Sequence, residues 1–204
     1  MKELLYILAA VCGYIVAGFN PAITLSKMIY NKDIRECGSG NPGFTNFKRT
    51  FGNKWAWFVF AIDITKAAVV ISIFAYLLSN EGVDFQFAAG YTGVFCMLGH
   101  IFPFQYKFKG GKGFLVCIST LFVVDWRAGL ISLGIMIILL LTTKYMSLST
   151  TLAMAVSPFV LILFDLPMCV IATMSVSVVL VVFRHKNNYI RLFKGEETKF
   201  FFRK

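Results

Sequence analysis

The sequence predicts an all-helical protein that crosses a membrane several times, and three observations carry that prediction. First, 58% of the 204 residues are hydrophobic and only 15% are charged, against about a quarter charged in soluble domains. Second, the apolar residues form seven long runs, at 4–19, 55–78, 87–104, 114–124, 130–143, 148–164 and 166–183. Third, the basic residues gather on one side of those runs. A helix needs roughly 20 apolar residues to cross the bilayer core, fewer where flanking side chains snorkel. Lipid satisfies no backbone group, so spans must be helices or closed barrels, and the period-2 alternation of a barrel is absent. With a mean hydropathy of +0.74, little chain is left for a soluble domain. No repeat or linker divides it, so residues 1–204 read as a single membrane-embedded domain.

Taken in order, the runs and their connections set the topology. The first run is followed by a basic stretch, 27–54, with six Lys/Arg against Asp33 and Glu36. A secretory signal has the opposite order, basic before apolar, so the first run reads as a retained span. The second connection holds Glu81 and Asp84 without Lys or Arg, and the third holds Lys107, Lys109 and Lys112 without acid. Asp125 and Arg127 flank the next turn, Lys144 the one after, and Asp165 stands alone in the sixth. The tail from Arg184 carries seven Lys/Arg against Glu196 and Glu197. In all, 17 of the 20 basic residues fall on one side, which the positive-inside rule makes the cytosol. Seven spans then leave the N-terminus outside and the C-terminus inside. The net charge of +10 is thus a topology signal; no nucleic acid is expected, and anionic membrane lipids are the partners of the basic tail.

Metal and disulfide chemistry find no support. Cys12, Cys37, Cys96, Cys117 and Cys169 show no C-x-x-C spacing, and four of them lie in apolar runs. His100 and His185 are far apart and lack the local spacing of a zinc site.

Polar chemistry concentrates in three connections on the predicted cytosolic side. Gly38-Ser39-Gly40-Asn41-Pro42-Gly43-Phe44-Thr45-Asn46 cannot continue a helix and permits left-handed backbone. Successive N–H groups in such a turn form an anion-binding nest. Ser39, Asn41, Thr45 and Asn46 add neutral donors, and Arg49 adds a planar phosphate ligand. The ordinary alternative is a flexible polar loop, which does not call for that density of donors. In Lys107-Phe108-Lys109-Gly110-Gly111-Lys112-Gly113, glycines and lysines stand at the start of an apolar run, fit to present N–H and ammonium groups to a phosphate. The G-x-x-x-x-G-K-[ST] spacing of a Walker A loop is missing. Positive-inside anchoring explains the lysines but not the glycines. In Arg184-His185-Lys186-Asn187-Asn188, continued as helix, His185 and Asn188 share a face. Ser147 sits at a neighbouring span boundary. Inside the second run, Asp63 and Lys66 are spaced to neutralise one another and read as a structural ion pair.

Together these stretches resemble the PlsY family, bacterial membrane acyl-phosphate:glycerol-3-phosphate acyltransferases. The resemblance is carried by Gly38 to Gly43 with Thr45, Asn46 and Arg49, by Gly99-His100-Ile101-Phe102-Pro103 leading to Phe108-Lys109-Gly110-Gly111-Lys112-Gly113, and by Arg184-His185 with Asn188 and Arg191-Leu192. Asp63 and Lys66, and Tyr145 with Ser147, match further family positions, and the order holds from the first span to Glu197. Three departures stand out. Phe19-Asn20-Pro21 replaces a Ser before the proline of the first span, Phe44 replaces the usual alanine, and Phe114-Leu115-Val116-Cys117 replaces small hydroxyl residues.

The resemblance implies transfer of a fatty acyl group from acyl phosphate to the 1-hydroxyl of glycerol 3-phosphate, giving lysophosphatidic acid and phosphate. It implies a multi-pass bacterial cell-membrane enzyme with its active site on the cytosolic face, needing no metal and no cofactor. By that reading Ser39, Arg49, Lys109, Lys112, His185 and Asn188 are catalytic. Gly38, Gly40, Asn41, Gly43, Thr45, Asn46, Gly110, Gly111, Gly113 and Ser147 bind substrate. Arg49, Lys109 or Lys112, Ser147, His185 and Asn188 surround glycerol 3-phosphate, while Ser39, Asn41, Thr45 and nearby backbone hold acyl phosphate. Neither histidine begins a His-x4-Asp motif, since Gln105 and Ile190 occupy the relevant offsets. A thioester-dependent general base is therefore not indicated. The rivals are a small anion transporter, whose polar groups belong near the midplane, and a non-catalytic paralogue, which has no use for donor-rich loops.

Overall fold

The computed structural model describes residues 1–201, and among them the regular structure is helical, without strands. The seven apolar runs become α1 (Lys2–Gly18), α4 (Asn53–Ser79), α5 (Phe85–Ile101), α6 (Phe114–Val124), α7 (Trp126–Thr143), α8 (Met146–Leu163) and α9 (Met168–Arg184). Three shorter helices occupy polar connections: α2 (Pro21–Tyr30), α3 (Phe44–Phe51) and α10 (Lys186–Phe193). Among the described residues five units are long and apolar enough to span a bilayer: α1 running into α2, α4, α5 with its 3-10 extension, α7 and α8. A sixth arises only when α9 and α10 are joined across a 49° bend. With 11 residues, α6 rises about 16 Å, roughly half the hydrocarbon thickness. The seven-run pattern is thus seven helices, of unequal reach.

Local chemistry explains where the helices begin. Asn20 caps α2, its Oδ1 accepting from the Ile23 amide at 3.0 Å, with Pro21 in the first position. Asp84 caps α5 at 2.7 Å from the Phe87 amide. Asp125 caps α7, accepting from Arg127 and Ala128 amides at 2.9 and 3.1 Å. Two of the acidic residues that mark the non-basic side are therefore also helix caps.

Packing centres on α5, which contacts α1, α4, α6 and α9. Its glycines make this possible. A Cβ at Gly99 would strike the Tyr14 backbone of α1, one at Gly93 would meet Thr120 of α6, and one at Gly90 would meet Thr173 of α9. Small residues let helix backbones approach where lipid supplies no hydrophobic drive between helices. The outer faces carry Leu4, Trp57, Ile73, Ile138, Phe159 and Val179 exposed, as a lipid-facing surface requires. On the basic side a second cluster of Ile23, Ile34, Phe47, Ala56 and Val59 seats α2 and α3 on the start of α4. That cluster is the platform for the first polar loop.

Candidate active site

The first loop is shaped by one asparagine. Gly38 and Gly40 have φ of 56° and 71°, conformations costly for residues with a Cβ. A Cβ on Gly38 would collide with Asn46 Oδ1. That oxygen accepts from the Ser39 amide at 2.9 Å, while Asn46 Nδ2 donates to the carbonyls of Ile34 and Cys37 at 3.3 and 2.9 Å. Asn46, expected as a substrate donor, has its amide committed to the loop and is 2% exposed. The loop it pins turns Ser39, Asn41, Thr45 and Arg49 toward one pocket, whose wall also includes Gly43. Asn20 donates to the Pro42 carbonyl at 3.0 Å, so the unusual Asn at that position braces the loop as well as capping α2.

The second loop corrects two expectations. Gly110 and Gly111 do not offer their N–H groups to a ligand: they donate to the carbonyls of Ile101 and His100, both at 3.1 Å. A Cβ at Gly110 would strike the His100 carbonyl, and one at Gly111 the His100 ring. These glycines let the loop lie flat on the end of α5. Lys109 then projects away from the pocket into a separate cleft with Asp33, Arg35, Lys107 and Arg184. Lys112 projects inward instead, and Gly113, with φ 86°, turns the chain into α6 at the pocket wall. Of the two lysines, Lys112 is the one at the site.

The third connection bends at His185, and His185 and Asn188 are 5% and 6% exposed, facing the same pocket as expected. His185 Nδ1 lies 2.8 Å from the Val181 carbonyl. A carbonyl only accepts, so Nδ1 carries the proton and Nε2 is left as an acceptor. Asn188 Oδ1 accepts from Lys112 Nζ.

Glu197 is the residue the sequence reading missed. Its carboxylate accepts from Ser147 Oγ at 2.8 Å, Asn188 Nδ2 at 2.7 Å and Arg191 Nε at 2.9 Å. Burial pushes this carboxyl up, but the three hydrogen bonds outweigh it and hold it below the usual glutamate value. The only available signal was an acidic pair, Glu196-Glu197, within a tail of seven basic residues. Arg49 Nη2 donates to the Thr198 carbonyl at 2.8 Å, so the segment after Glu197 touches the guanidinium of a residue that remains exposed. Lys112, outside the spans, is drawn down to about 8, chiefly by burial; Glu197 opposes this while Arg191, Arg184 and Arg49 add to it.

Below these groups Asp63 and Lys66 approach to 2.8 Å with side chains 2% and 6% exposed. The contact is ionic rather than an aligned hydrogen bond, since Asp63 Oδ1 has no such partner among the described residues. Lys66 also donates to the Phe19 carbonyl and lies 3.4 Å from His100 Nδ1. The intramembrane pair is therefore a three-residue network with His100.

The pocket has a volume of about 450 Å³ and two unlike ends. One holds Arg49, Lys112, Ser147, His185 and Asn188; the other is walled by Phe60 and Ala68 of α4, Phe114 and Ile118 of α6, and Leu133 and Met136 of α7. A helical membrane protein with a cationic, hydrogen-bonding pocket mouth continuous with an apolar groove is built to hold an amphiphile with an anionic head.

The comparisons with known proteins agree. A profile of the family described as "Glycerol-3-phosphate acyltransferase" matches residues 7–195. A glycerol-3-phosphate acyltransferase of Francisella philomiragia is 35% identical over 189 residues, covering 93% of this chain and 90% of the relative. One of Prochlorococcus marinus is 33% identical over 196 residues, covering 95% and 96%. The crystal structure of PlsY, an integral membrane glycerol 3-phosphate acyltransferase, in its glycerol 3-phosphate form superposes with a TM-score of 0.88 at 28% identity, over 96% of each chain. Its lysophosphatidic acid form gives 0.85 at 27% identity, over 96% of this chain and 95% of that one. This chain belongs to the glycerol-3-phosphate acyltransferase family of PlsY.

Proposed function

We propose that the protein transfers a fatty acyl group from acyl phosphate to the 1-hydroxyl of glycerol 3-phosphate, at the cytosolic face of the membrane. The observation that carries the proposal is the two-ended pocket, in which phosphate-binding groups from separate loops meet at the mouth of one apolar groove. Two phosphate-bearing substrates, one with an acyl tail, need that arrangement. The ligands named for the two solved relatives, glycerol 3-phosphate and lysophosphatidic acid, are the acceptor and product the reaction requires.

In this scheme Lys112 and Arg49 meet the acceptor phosphate, Arg49 on release from the Thr198 carbonyl. Ser147 and Asn188, oriented by Glu197, hold its glycerol portion. His185 Nε2 accepts a hydrogen bond from the 1-hydroxyl and aims it. Ser39, Asn41 and Thr45 hold the acyl phosphate head with its tail in the groove. The hydroxyl oxygen bonds to the acyl carbon, the bond from that carbon to the phosphate oxygen breaks, and the hydroxyl proton passes to the departing phosphate. An acyl phosphate is a mixed anhydride with a good leaving group. Positioning alone then supplies several kcal/mol, and no acyl-enzyme or metal is needed. An anion transporter fits less well, because the cations that line the pocket, Arg49, Lys112 and Arg191, gather at its mouth, and the charge further in, Asp63, is paired with Lys66.

The test is an assay of purified protein with acyl phosphate, acyl-CoA or acyl-carrier protein, each with glycerol 3-phosphate and a chelator. Lysophosphatidic acid formed from acyl phosphate alone is expected. Robust turnover with acyl-CoA alone, or abolition by the chelator, overturns the reading.

A further inference from the structure

Along α6 the apolar groove reaches a ring, Phe122, close to the end of that helix. Its α6 wall is Phe114, Leu115, Ile118, Ser119, Phe122 and Val123, spaced three and four apart so that they share one face of the helix. From Gly113 at the phosphate end to Phe122 is nine residues, a depth of about 13 Å. Phe122 is the last ring of the row before α6 ends at Val124. It lies directly on α7: a Cβ added at Gly129 would meet Phe122 Cγ at 2.7 Å, Cδ1 at 2.8 Å and Cδ2 at 3.0 Å. A point 2.7–3.0 Å from Cγ and both Cδ atoms lies over the ring plane at its Cγ end, so one face of Phe122 is turned to Gly129 of α7, while the ring also lines the groove, which Gly129 does not. Gly129 is buried, and Asp125, three residues beyond the ring, caps α7 where the chain turns back. Leu133, one helical turn further along α7, lines the groove beside Phe122.

We infer that Phe122, seated on Gly129, is the stop that sets how long an acyl chain the donor can carry. This deepens the proposed reaction and rests on it. The occupant follows from continuity, since Ser39, Asn41 and Thr45, which hold the donor's head in the proposed reaction, line the same pocket as the apolar row that runs from Phe114 to this ring. A chain longer than the groove must displace the ring or bend away, whereas a shorter one leaves apolar wall unfilled. Discrimination by hydrophobic pockets is worth about ten- to two-hundredfold per methylene at best, so a movable stop translates into a measurable length profile.

The geometry gives two substitutions with opposite signs. Phe122→Ala removes the ring and deepens the groove. Gly129→Ala forces the ring off α7, and the open side is the groove, which becomes shallower. The experiment measures kcat/KM for lauroyl, palmitoyl and stearoyl phosphate with purified wild type and both variants. Relative to wild type, the stearoyl-to-lauroyl ratio is expected to rise about tenfold in Phe122→Ala and to fall about tenfold in Gly129→Ala. Ratios within one preparation cancel a general loss of folded enzyme. If Phe122→Ala is too unstable to purify, Phe122→Leu provides the same direction with a smaller shift. Active variants with the wild-type profile, or both shifting the same way, overturn the inference while leaving the reaction standing. Wild type inactive on every acyl phosphate removes the reaction itself, and the inference with it.

Discussion

Arg49 and Lys112 carry the same formal charge at the same pocket mouth, yet their chemistry differs. Arg49 has a planar fork already engaged by the Thr198 carbonyl, and a lysine in its place supplies only a point charge. Arg49→Lys is expected to insert and fold normally but to lose at least about tenfold in kcat/KM for glycerol 3-phosphate, a drop of roughly 1.4 kcal/mol in transition-state stabilisation. Lys54→Gln, which removes a cation resting over the Trp55 ring outside the pocket, should leave the kinetics nearly unchanged. Unimpaired Arg49→Lys would reduce that residue to a topology anchor. Lys112 differs because its proton is labile: burial draws it down from 10.5 to about 8. Below that pH it is a cation, which in the proposed reaction meets the acceptor phosphate; above it the charge is lost. The kcat/KM for glycerol 3-phosphate, which reports the free enzyme, should therefore fall about tenfold per pH unit above pH 8. In Lys112→Arg, always charged, this basic limb should be absent. A limb that persists unchanged in that variant would assign it to another group. The sequence alone does not separate Lys112 from Lys109. They flank the same two glycines, and what separates them is the contact of Gly111 with His100, eleven residues earlier on another element.

Among the elements, the long helices were legible because lipid makes each apolar run accountable for its own backbone hydrogen bonds. The short ones were not. α2, α3 and α10 lie within polar connections and are held by tertiary contacts, as where Phe47 of α3 and Ile23 of α2 pack against Ala56 and Val59 of α4. Composition gives no measure of such contacts. Nor does it reveal which glycines are structural. Gly99 of α5 abuts the Tyr14 backbone, whereas Gly134 of α7 has nothing within 4 Å of where a Cβ would lie. Gly99→Ala is accordingly expected to destabilise by about 1–3 kcal/mol, because backbone cannot step aside as a side chain does. Gly134→Ala should be neutral or slightly stabilising, since alanine is the better helix former by about 1 kcal/mol. Thermal unfolding of the two variants in one detergent checks this pair. Equal melting temperatures would mean that α1 and α5 are not held at the spacing described.

The molecule as a whole brings together groups that the sequence keeps far apart. Glu197 joins Ser147 from fifty positions away, and Arg49 meets Thr198 across 149. Phe200 donates its amide to the Lys144 carbonyl at 2.7 Å and is 5% exposed. The tail thus closes over the pocket mouth, and it does so from the same side as all three polar loops. Charge patterning expects that side to be basic, and in the proposed reaction its compartment must supply both substrates. Since 17 of 20 basic residues share it, it should be the cytosol. The exposed Lys109 and Lys194 and the opposite connection at Glu81 give a direct check, in a background where the exposed Cys169 is replaced by serine. An impermeant maleimide should label Glu81→Cys in sealed cells, and Lys109→Cys and Lys194→Cys only after permeabilisation. Lys109 is suited to this because it lies outside the pocket, so its replacement leaves the reaction intact and activity confirms that the labelled protein is folded. Labelling of Lys109→Cys from outside would turn the pocket mouth away from the cytosol. A phosphorylated acceptor and an acyl phosphate made inside the cell could then not reach Arg49 and Lys112, and the proposed reaction would fail on access rather than on chemistry.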